Sequence, residues 1–193
     1  MRFCDEKDFG FGWIDDDDDP IRRTSHALVV DGGVWLIDPV AWPDAERRVR
    51  ESGEPRGVLQ LLDRHNRDCA ALAATLGVPH HLVPARVPPF DFLPVLRNRF
   101  WSEVALWWPE RRVLVAADAL GTVGYFRAPG EPVGVHPFLR LTPPRSFRRV
   151  YPEHILTGHG KGVHKDAAVA LHTALRTSRR RLPAVLWSSV HRR

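Results

Sequence analysis

The chain has 193 residues, of which 44% are hydrophobic, and its formal net charge is +5. This length suits one domain, and the hydrophobic fraction excludes a chain that is disordered throughout. Almost all of the positive charge is arginine scattered along the sequence, because lysine occurs only at positions 7, 161 and 165. Scattered charge is not the basic face that nucleic acid requires, so we do not expect a nucleic-acid partner.

Targeting signals and cysteine patterns are also missing from the sequence. No apolar stretch is long enough to span a membrane, and the N-terminus lacks the basic and apolar regions of a signal peptide. The two cysteines, Cys4 and Cys69, make neither a disulfide framework nor a zinc ribbon. We therefore expect a cytoplasmic protein without a membrane partner, folded as a single domain over residues 1–193.

The first fifty residues predict hairpins and one helix. Residues 1–20 form a lead-in that we expect to be a strand followed by a solvated acidic turn at residues 15–19. Asp31-Gly32-Gly33 predicts a tight turn between the strands 21–30 and 34–37. A helix is predicted over residues 43–51, because proline begins it and Gly53 follows its end.

The segment around His65 carries the clearest chemical signal. A hydrophobic run over residues 58–62 ends in three closely spaced potential metal ligands, Asp63, His65 and Asp68, and an alanine-rich stretch then stops at Gly77. The pattern predicts a buried strand, a polar loop and a helix, and α/β folds place their sites in such loops. Imidazole and carboxylate donors together suit zinc, iron or manganese. The structural alternative is that Asp63 and Asp68 stabilise the start of the helix.

The second half of the chain alternates strands with irregular segments. Strands are predicted over residues 78–83, 104–108 and 112–117. The proline-rich residues 84–94 predict an irregular surface segment, and residues 121–144 predict a loop that covers the site mouth. Apolar residues at helical spacing predict an amphipathic helix over residues 165–180, before a basic tail at 182–193.

Three of these motifs, in this order, resemble the metallo-β-lactamase superfamily. The loop at residues 63–68 is in register with the family's His-x-His-x-Asp-His motif. The strand that ends at Asp118 is similar to the one that carries the family's metal-bridging Asp, and Gly158-His159-Gly160 is similar to the turn of its last His. The resemblance covers about residues 21–180. It implies an αβ/βα four-layer sandwich, with two mixed sheets face to face and helices outside.

The sequence departs from the family pattern at two ligand positions. Arg67 stands at the loop Asp, and Arg99 stands near a further His expected before the strand 104–108; arginine cannot donate a lone pair to a metal. The resemblance thus leaves five metal ligands and implies one ion, zinc or else iron or manganese. Those ligands are Asp63, His65, Asp68, Asp118 and His159.

Two functions remain open from the sequence. The first is a metal-dependent hydrolase of a small ester, thioester, lactam or phosphoester, with Asp68 as general base and Arg67 or Arg99 binding an anionic substrate group or oxyanion. The alternative is a catalytically inactive, metal-free member of the fold that binds an anion, a ligand or a partner. In that case we expect the arginines to pair with the carboxylates of the site.

Overall fold

The computed structural model describes residues 1–15, 21–65 and 67–190. Its strands are β1 (Arg2–Lys7), β2 (Gly10–Ile14), β3 (Thr24–Val30), β4 (Gly33–Ile37), β5 (Glu54–Gln60), β6 (His80–Leu82), β7 (Asp91–Asn98), β8 (Trp101–Trp108), β9 (Val113–Ala116), β10 (Leu120–Gly121), β11 (Gly134–Val135) and β12 (His154–Thr157). Its α-helices are α1 (Pro43–Ser52), α2 (Cys69–Leu76), α3 (Ala167–Thr177) and α4 (Leu182–Val190). None of these described helices is long and apolar enough to cross a membrane.

The strands form two large mixed sheets. The first has the order β1-β2-β3-β4-β5-β6; it is antiparallel from β1 to β4 and parallel from β4 to β6. The second has the order β12-β9-β8-β7, and only β12 and β9 are parallel. A separate short hairpin joins β10 to β11.

The alternation of side chains along the strands separates the layers. On β4, Leu36 packs in one apolar cluster with Val49 of α1 and Ala73 of α2. The next residue, Ile37, points to the opposite face and belongs to the cluster that includes Leu114 of the second sheet. Helix α3 contributes apolar residues to that same cluster. The helices therefore flank a pair of facing sheets, as the sequence predicts.

Three strand ends meet at one edge of the sandwich. Parallel pairing aligns the carboxyl ends of β9 and β12. An isolated bridge between Leu62 and Glu103 joins the segment after β5 to β8 of the other sheet. A second bridge, between Arg23 and His159, joins the start of β3 to the turn after β12. The loops that follow β5, β9 and β12 are thereby brought together.

Two predicted irregular segments are regular in the structure. Residues 91–98, partly predicted as a loop, form β7; Pro94 is tolerated because β7 is an edge strand whose register shifts at this point. Residues 182–190 of the predicted tail form α4. Residues 191–193 of that tail, and residues 16–19 of the acidic run, lie outside the described residues.

Candidate metal centre

Three of the predicted ligands converge where the strand ends meet. Nε2 of His65 and Nε2 of His159 each lie 3.0 Å from Oδ1 of Asp118. The three ligand atoms all lie within 4.8 Å of one another. Both histidines are buried, and the Asp118 side chain is 14% exposed. The site is therefore enclosed by the protein but reachable at its carboxylate.

The outer nitrogens of the two imidazole rings face acceptors. Nδ1 of His159 lies 2.8 Å from the carbonyl oxygen of Ile21, so this Nδ1–H donates to it and Nε2 is the ring nitrogen directed at Asp118. Nδ1 of His65 lies 3.3 Å from Oδ2 of Asp38. The two atoms are not aligned for a hydrogen bond, and Nδ1 of His65 has no hydrogen-bond partner in the described chain. We treat that contact as electrostatic. Acceptors behind the ring nitrogens are typical of metal-binding histidines.

The charges of the cluster stabilise one another. Burial would raise the pKa of Asp118, but hydrogen bonds from His159 and His65 outweigh burial and hold this pKa far below its usual value. Burial and the nearby guanidinium of Arg67 lower the pKa of His65, yet the carboxylates of Asp38 and Asp118 together raise it above its ordinary value. Asp118 is thus ionised at any working pH and available as a ligand.

Glu103 fixes the backbone at Asp118. Its Oε1 accepts the N–H groups of Asp118, at 3.0 Å, and Ala119, at 2.8 Å. Its Oε2 accepts the indole N–H of Trp101 at 2.8 Å. Burial raises the pKa of Glu103 to about 8, although the hydrogen bond from Ala119 lowers it. The buried side chain of Glu103 therefore fixes the backbone from which the Asp118 side chain extends.

Arg64 is a cation at the site that sequence reasoning missed. Its guanidinium lies 4.1 Å from the ring centroid of Trp101 and 3.8 Å from Oδ2 of Asp118. The side chain is 44% exposed, so it faces both the cluster and solvent. The only available signal was its position directly before His65 in the site loop, which does not distinguish it from the other loop arginine.

The other two predicted ligands lie apart from the cluster. Oδ2 of Asp63 accepts the backbone N–H of Ser102 at 3.0 Å, and Oδ2 of Asp68 accepts that of Ala41 at 2.8 Å. The described cluster therefore contains three of the five predicted ligands. His164, which follows His159 in the same loop, also lies apart from the cluster, because its Nε2 lies 3.0 Å from Oδ1 of Asp5.

The contacts of the two predicted arginines lie away from the three-residue cluster. Arg67 donates to the carbonyl oxygens of Thr24 at 2.6 Å, Asp38 at 2.9 Å and Gly158 at 2.9 Å. Burial lowers its pKa, but a guanidinium remains charged. Arg99 is exposed, and its guanidinium lies 4.2 Å from the ring centroid of Phe100. Within the described residues, neither arginine forms a salt bridge with Asp63, Asp68 or Asp118.

Aromatic residues of the segment 121–144 form a wall beside the cluster. The ring of Phe126 stacks on His159 at 5.5 Å, and that of His136 meets Trp101 edge-on at 4.9 Å. Nδ1 of His136 accepts the N–H of Phe138, and burial lowers the pKa of His136 to about 4. His136 is therefore neutral at physiological pH. This segment does lie against the site, as the sequence predicts.

Comparison with known proteins gives matches by structure and none by sequence. No protein-family model and no curated protein matches this chain. The structure superposes on a putative diflavin flavoprotein from Nostoc sp. with a TM-score of 0.59 and 12% identity, over 82% of this chain and 84% of that one. It also superposes on two metallo-β-lactamases. One is DIM-1, with a TM-score of 0.53 and 11% identity over 93% of this chain and 97% of that one. The other is the B3 enzyme BLEG-1, with a TM-score of 0.53 and 17% identity over 75% of this chain and 90% of that one.

The chain has the metallo-β-lactamase fold. The resemblance in sequence motifs is confirmed at this level, together with the two mixed sheets it implies. Identities of 11–17% establish the fold alone. Because unrelated chemistries share one fold, the function has to be argued from the site.

Proposed function

We propose that this chain is a metal-dependent hydrolase that holds one ion between His65, Asp118 and His159. The observation that carries the proposal is the convergence of two imidazole nitrogens and one carboxylate oxygen, all within 4.8 Å of one another. Nδ1–H of His159 donates to Ile21, which leaves Nε2, 3.0 Å from Oδ1 of Asp118, as the nitrogen that would bind an ion.

The spacing of these three atoms suits a metal ion. The ligand atoms of a tetrahedral zinc site with bonds of about 2.0–2.1 Å are about 3.4 Å apart, close to the separations present here. Two imidazoles and one carboxylate suit zinc or iron, and manganese also accepts them.

The residues around the three ligands supply the remaining functions of a hydrolase. A bound ion of this class activates water and polarises a carbonyl or phosphoryl oxygen. Arg64, held against Trp101 and partly exposed, is positioned to bind negative charge that develops on the substrate. We assign this role to Arg64, because Arg67 is occupied by backbone carbonyls and Arg99 lies on the surface.

A cavity beside His159 supports a small anionic substrate. Its volume is about 790 Å³, and the segment 160–163 that follows His159 forms one side of it. Arg22, Arg127 and Lys161 line it, and none of the described lining residues is acidic. Nε of Arg127 is buried and has no hydrogen-bond partner within the described part of the chain. We therefore propose a substrate with a carboxylate or phosphate group besides its ester, thioester, lactam or phosphoester bond.

The proposal can be tested with a pair of esters and a pair of thioesters, in each of which the two compounds differ only by a carboxylate group. With the metal-loaded protein we expect turnover of the carboxylated member. Arg127→Ala should raise its KM with little change in kcat, as expected when binding is lost equally in ground and transition states. Arg56→Ala, an exposed arginine on β5, is the matched control and should change neither constant. Saturable binding of the carboxylated compounds without metal-dependent turnover of any pair would favour the metal-free binding protein instead.

A further inference from the structure

A second cavity lies on the far side of the site loop, where the edge strands β6 and β7 leave the sandwich open. Its volume is about 810 Å³. The lining is mostly apolar and includes Leu82, Phe92, Val95, Leu96 and Val104. It shares no lining residue with the cationic cavity beside His159. The two cavities are therefore separate places for ligands.

The second cavity contains an unsatisfied carboxylate. Asp63 lines it, and while Oδ2 of Asp63 accepts the N–H of Ser102, its Oδ1 is buried without a hydrogen-bond partner among the described residues. A buried carboxylate oxygen without a donor is costly, and such groups are rare in folded proteins. Glu103 also lines the cavity, but both of its oxygens already accept hydrogen bonds. Oδ1 of Asp63 is thus the carboxylate oxygen of this lining that lacks a donor among the described residues.

We propose that this cavity binds a small apolar molecule that carries one protonated amine. The ammonium group would donate to Asp63, and the apolar body would lie against Phe92, Val95 and Leu96. A cation is favoured over a neutral donor because hydrogen bonds between two charged groups are the stronger ones. Arg97, also on the lining, is exposed and forms no salt bridge with Asp63 in the described chain. It leaves the carboxylate open to a ligand.

The position of this cavity places an occupant directly behind the metal centre. Asp63 lies two residues before His65 in the same loop. Glu103 holds the backbone N–H of Asp118 from β8. An occupant would contact both of these supporting residues while carrying the charge opposite to that of the proposed substrate. The site is therefore distinct from the substrate cavity, and the proposal does not rest on the hydrolase activity.

Calorimetric titration of the full chain with hexylamine, without added metal and near neutral pH, tests the proposal. We expect saturable binding of hexylammonium and much weaker binding of hexan-1-ol and hexanoate. Asp63→Asn should weaken hexylammonium at least tenfold, equivalent to about 1.4 kcal/mol. Asp91→Asn, which removes an exposed carboxylate of β7 outside the lining, is the matched control and should leave binding unchanged.

A second variant keeps the test decisive if Asp63→Asn does not fold. Val95→Trp fills the cavity from the edge strand without changing any charge, and it should abolish hexylammonium binding. No saturable binding to the wild type would overturn the proposal. So would hexan-1-ol binding as tightly as hexylammonium, or undiminished binding to both variants. Because no metal is added, failure here would leave the hydrolase proposal standing.

Discussion

Arg67 is a half-buried cation whose hydrogen-bond partners are neutral carbonyl groups. Its guanidinium joins the carbonyls of Thr24, Asp38 and Gly158, which belong to three separate segments of the chain. Gly158 directly precedes His159 of the cluster. Arg67 therefore holds the floor of the site together, and a loss of stability on removing it would not by itself exclude a metal.

Replacing Arg67 by alanine should strongly destabilise the protein. Three buried carbonyl oxygens would lose their donor, and a hydrogen bond to a charged group contributes about 1.5–3 kcal/mol. We expect a loss of roughly 3 kcal/mol or more in the free energy of unfolding, measured with urea. Arg99→Ala, which removes an exposed arginine, is the control and should change it by about 0.5 kcal/mol at most. Equal stability of the two variants would contradict the assignment.

The sequence predicts part of this site, for a definable reason. His65, Asp118 and His159 each lie within three residues of the end of a hydrophobic run, so their strands could be recognised and their loops placed at one edge. The directions of Asp63 and Asp68 could not be predicted, because each carboxylate accepts an amide from a distant segment, at Ser102 and Ala41 respectively. No local pattern of residues records such a contact.

At the scale of elements, one carboxylate connects three parts of the fold. Oδ1 of Asp5, on β1, accepts the N–H of Gly162 at 2.9 Å and lies 3.0 Å from Nε2 of His164. Its Oδ2 lies 3.4 Å from Nε2 of His26 on β3. Burial would raise the pKa of Asp5, but hydrogen bonds from His164 and His26 hold it below its ordinary value. The loop that follows His159 is anchored in this way.

Asp5→Asn should therefore destabilise the protein in a pH-dependent way. A carboxyl whose pKa is lowered on folding contributes stability above its unfolded pKa, about 3.9, and loses it as the pH falls below that value. Breaking a buried pair costs about 3–5 kcal/mol, so near neutral pH we expect Asp5→Asn to lower the free energy of unfolding by at most this amount. Urea unfolding should show a gap between wild type and variant that is constant above about pH 5 and narrows in acid.

Asp8→Asn is the matched control for that measurement. Asp8 follows β1, and its carboxylate makes an exposed pair with Arg111, at 2.9 Å. Exposed pairs contribute about 0–1 kcal/mol, so this variant should follow the wild type at every pH. A gap for Asp5→Asn that stays constant down to acid pH would show that its carboxylate is not the source of the effect.

A buried ion pair fixes the segment 121–144 that covers the site. Arg140 is fully buried; its guanidinium lies 2.6 Å from Oε2 of Glu131 and also donates to the carbonyl oxygens of Phe126 and Ser178. Nothing in the local sequence distinguishes Arg140 from the exposed arginines around it. Its partner Glu131 lies nine residues earlier in the sequence, before β11.

Arg140→Ala should destabilise the protein by about 3–5 kcal/mol, because it leaves the Glu131 carboxylate buried without a cation. Arg140→Met combined with Glu131→Leu should recover much of that loss, since apolar residues of similar size remove both charges. Thermal and urea unfolding of the three proteins measure the difference. Arg145→Ala, an exposed neighbour, should unfold like the wild type. A double variant no more stable than Arg140→Ala would contradict a role based on charge.

At the scale of the whole molecule, the fold could be predicted in outline, because the spacing of hydrophobic residues along a strand indicates which of its faces are buried. Leu36 and Ile37 alternate between a helix-facing cluster and a sheet-facing cluster, and the sequence pattern records that alternation. The edges were harder to predict. Pro94 is not expected inside a strand, although β7 contains it, and α4 follows a run of arginines that indicates a tail.

The two cavities proposed as ligand sites differ in the charge of the residues that line them. Three cations line the cavity beside His159, and the carboxylate of Asp63 lines the other cavity, with one oxygen that lacks a donor among the described residues. We therefore expect ligands of opposite charge to bind in the two cavities.

The metal content of protein purified without chelator tests the central claim most directly. The account predicts a single ion of zinc, iron or manganese per chain, taken up again after removal with a rise in Tm, because a ligand that binds only the native state stabilises it. His159→Ala should lose the ion, whereas His172→Ala, whose ring bonds to Val150 outside the cluster, should retain it. Folded protein that contains no metal, and whose Tm does not change with any of the three ions, would contradict the account.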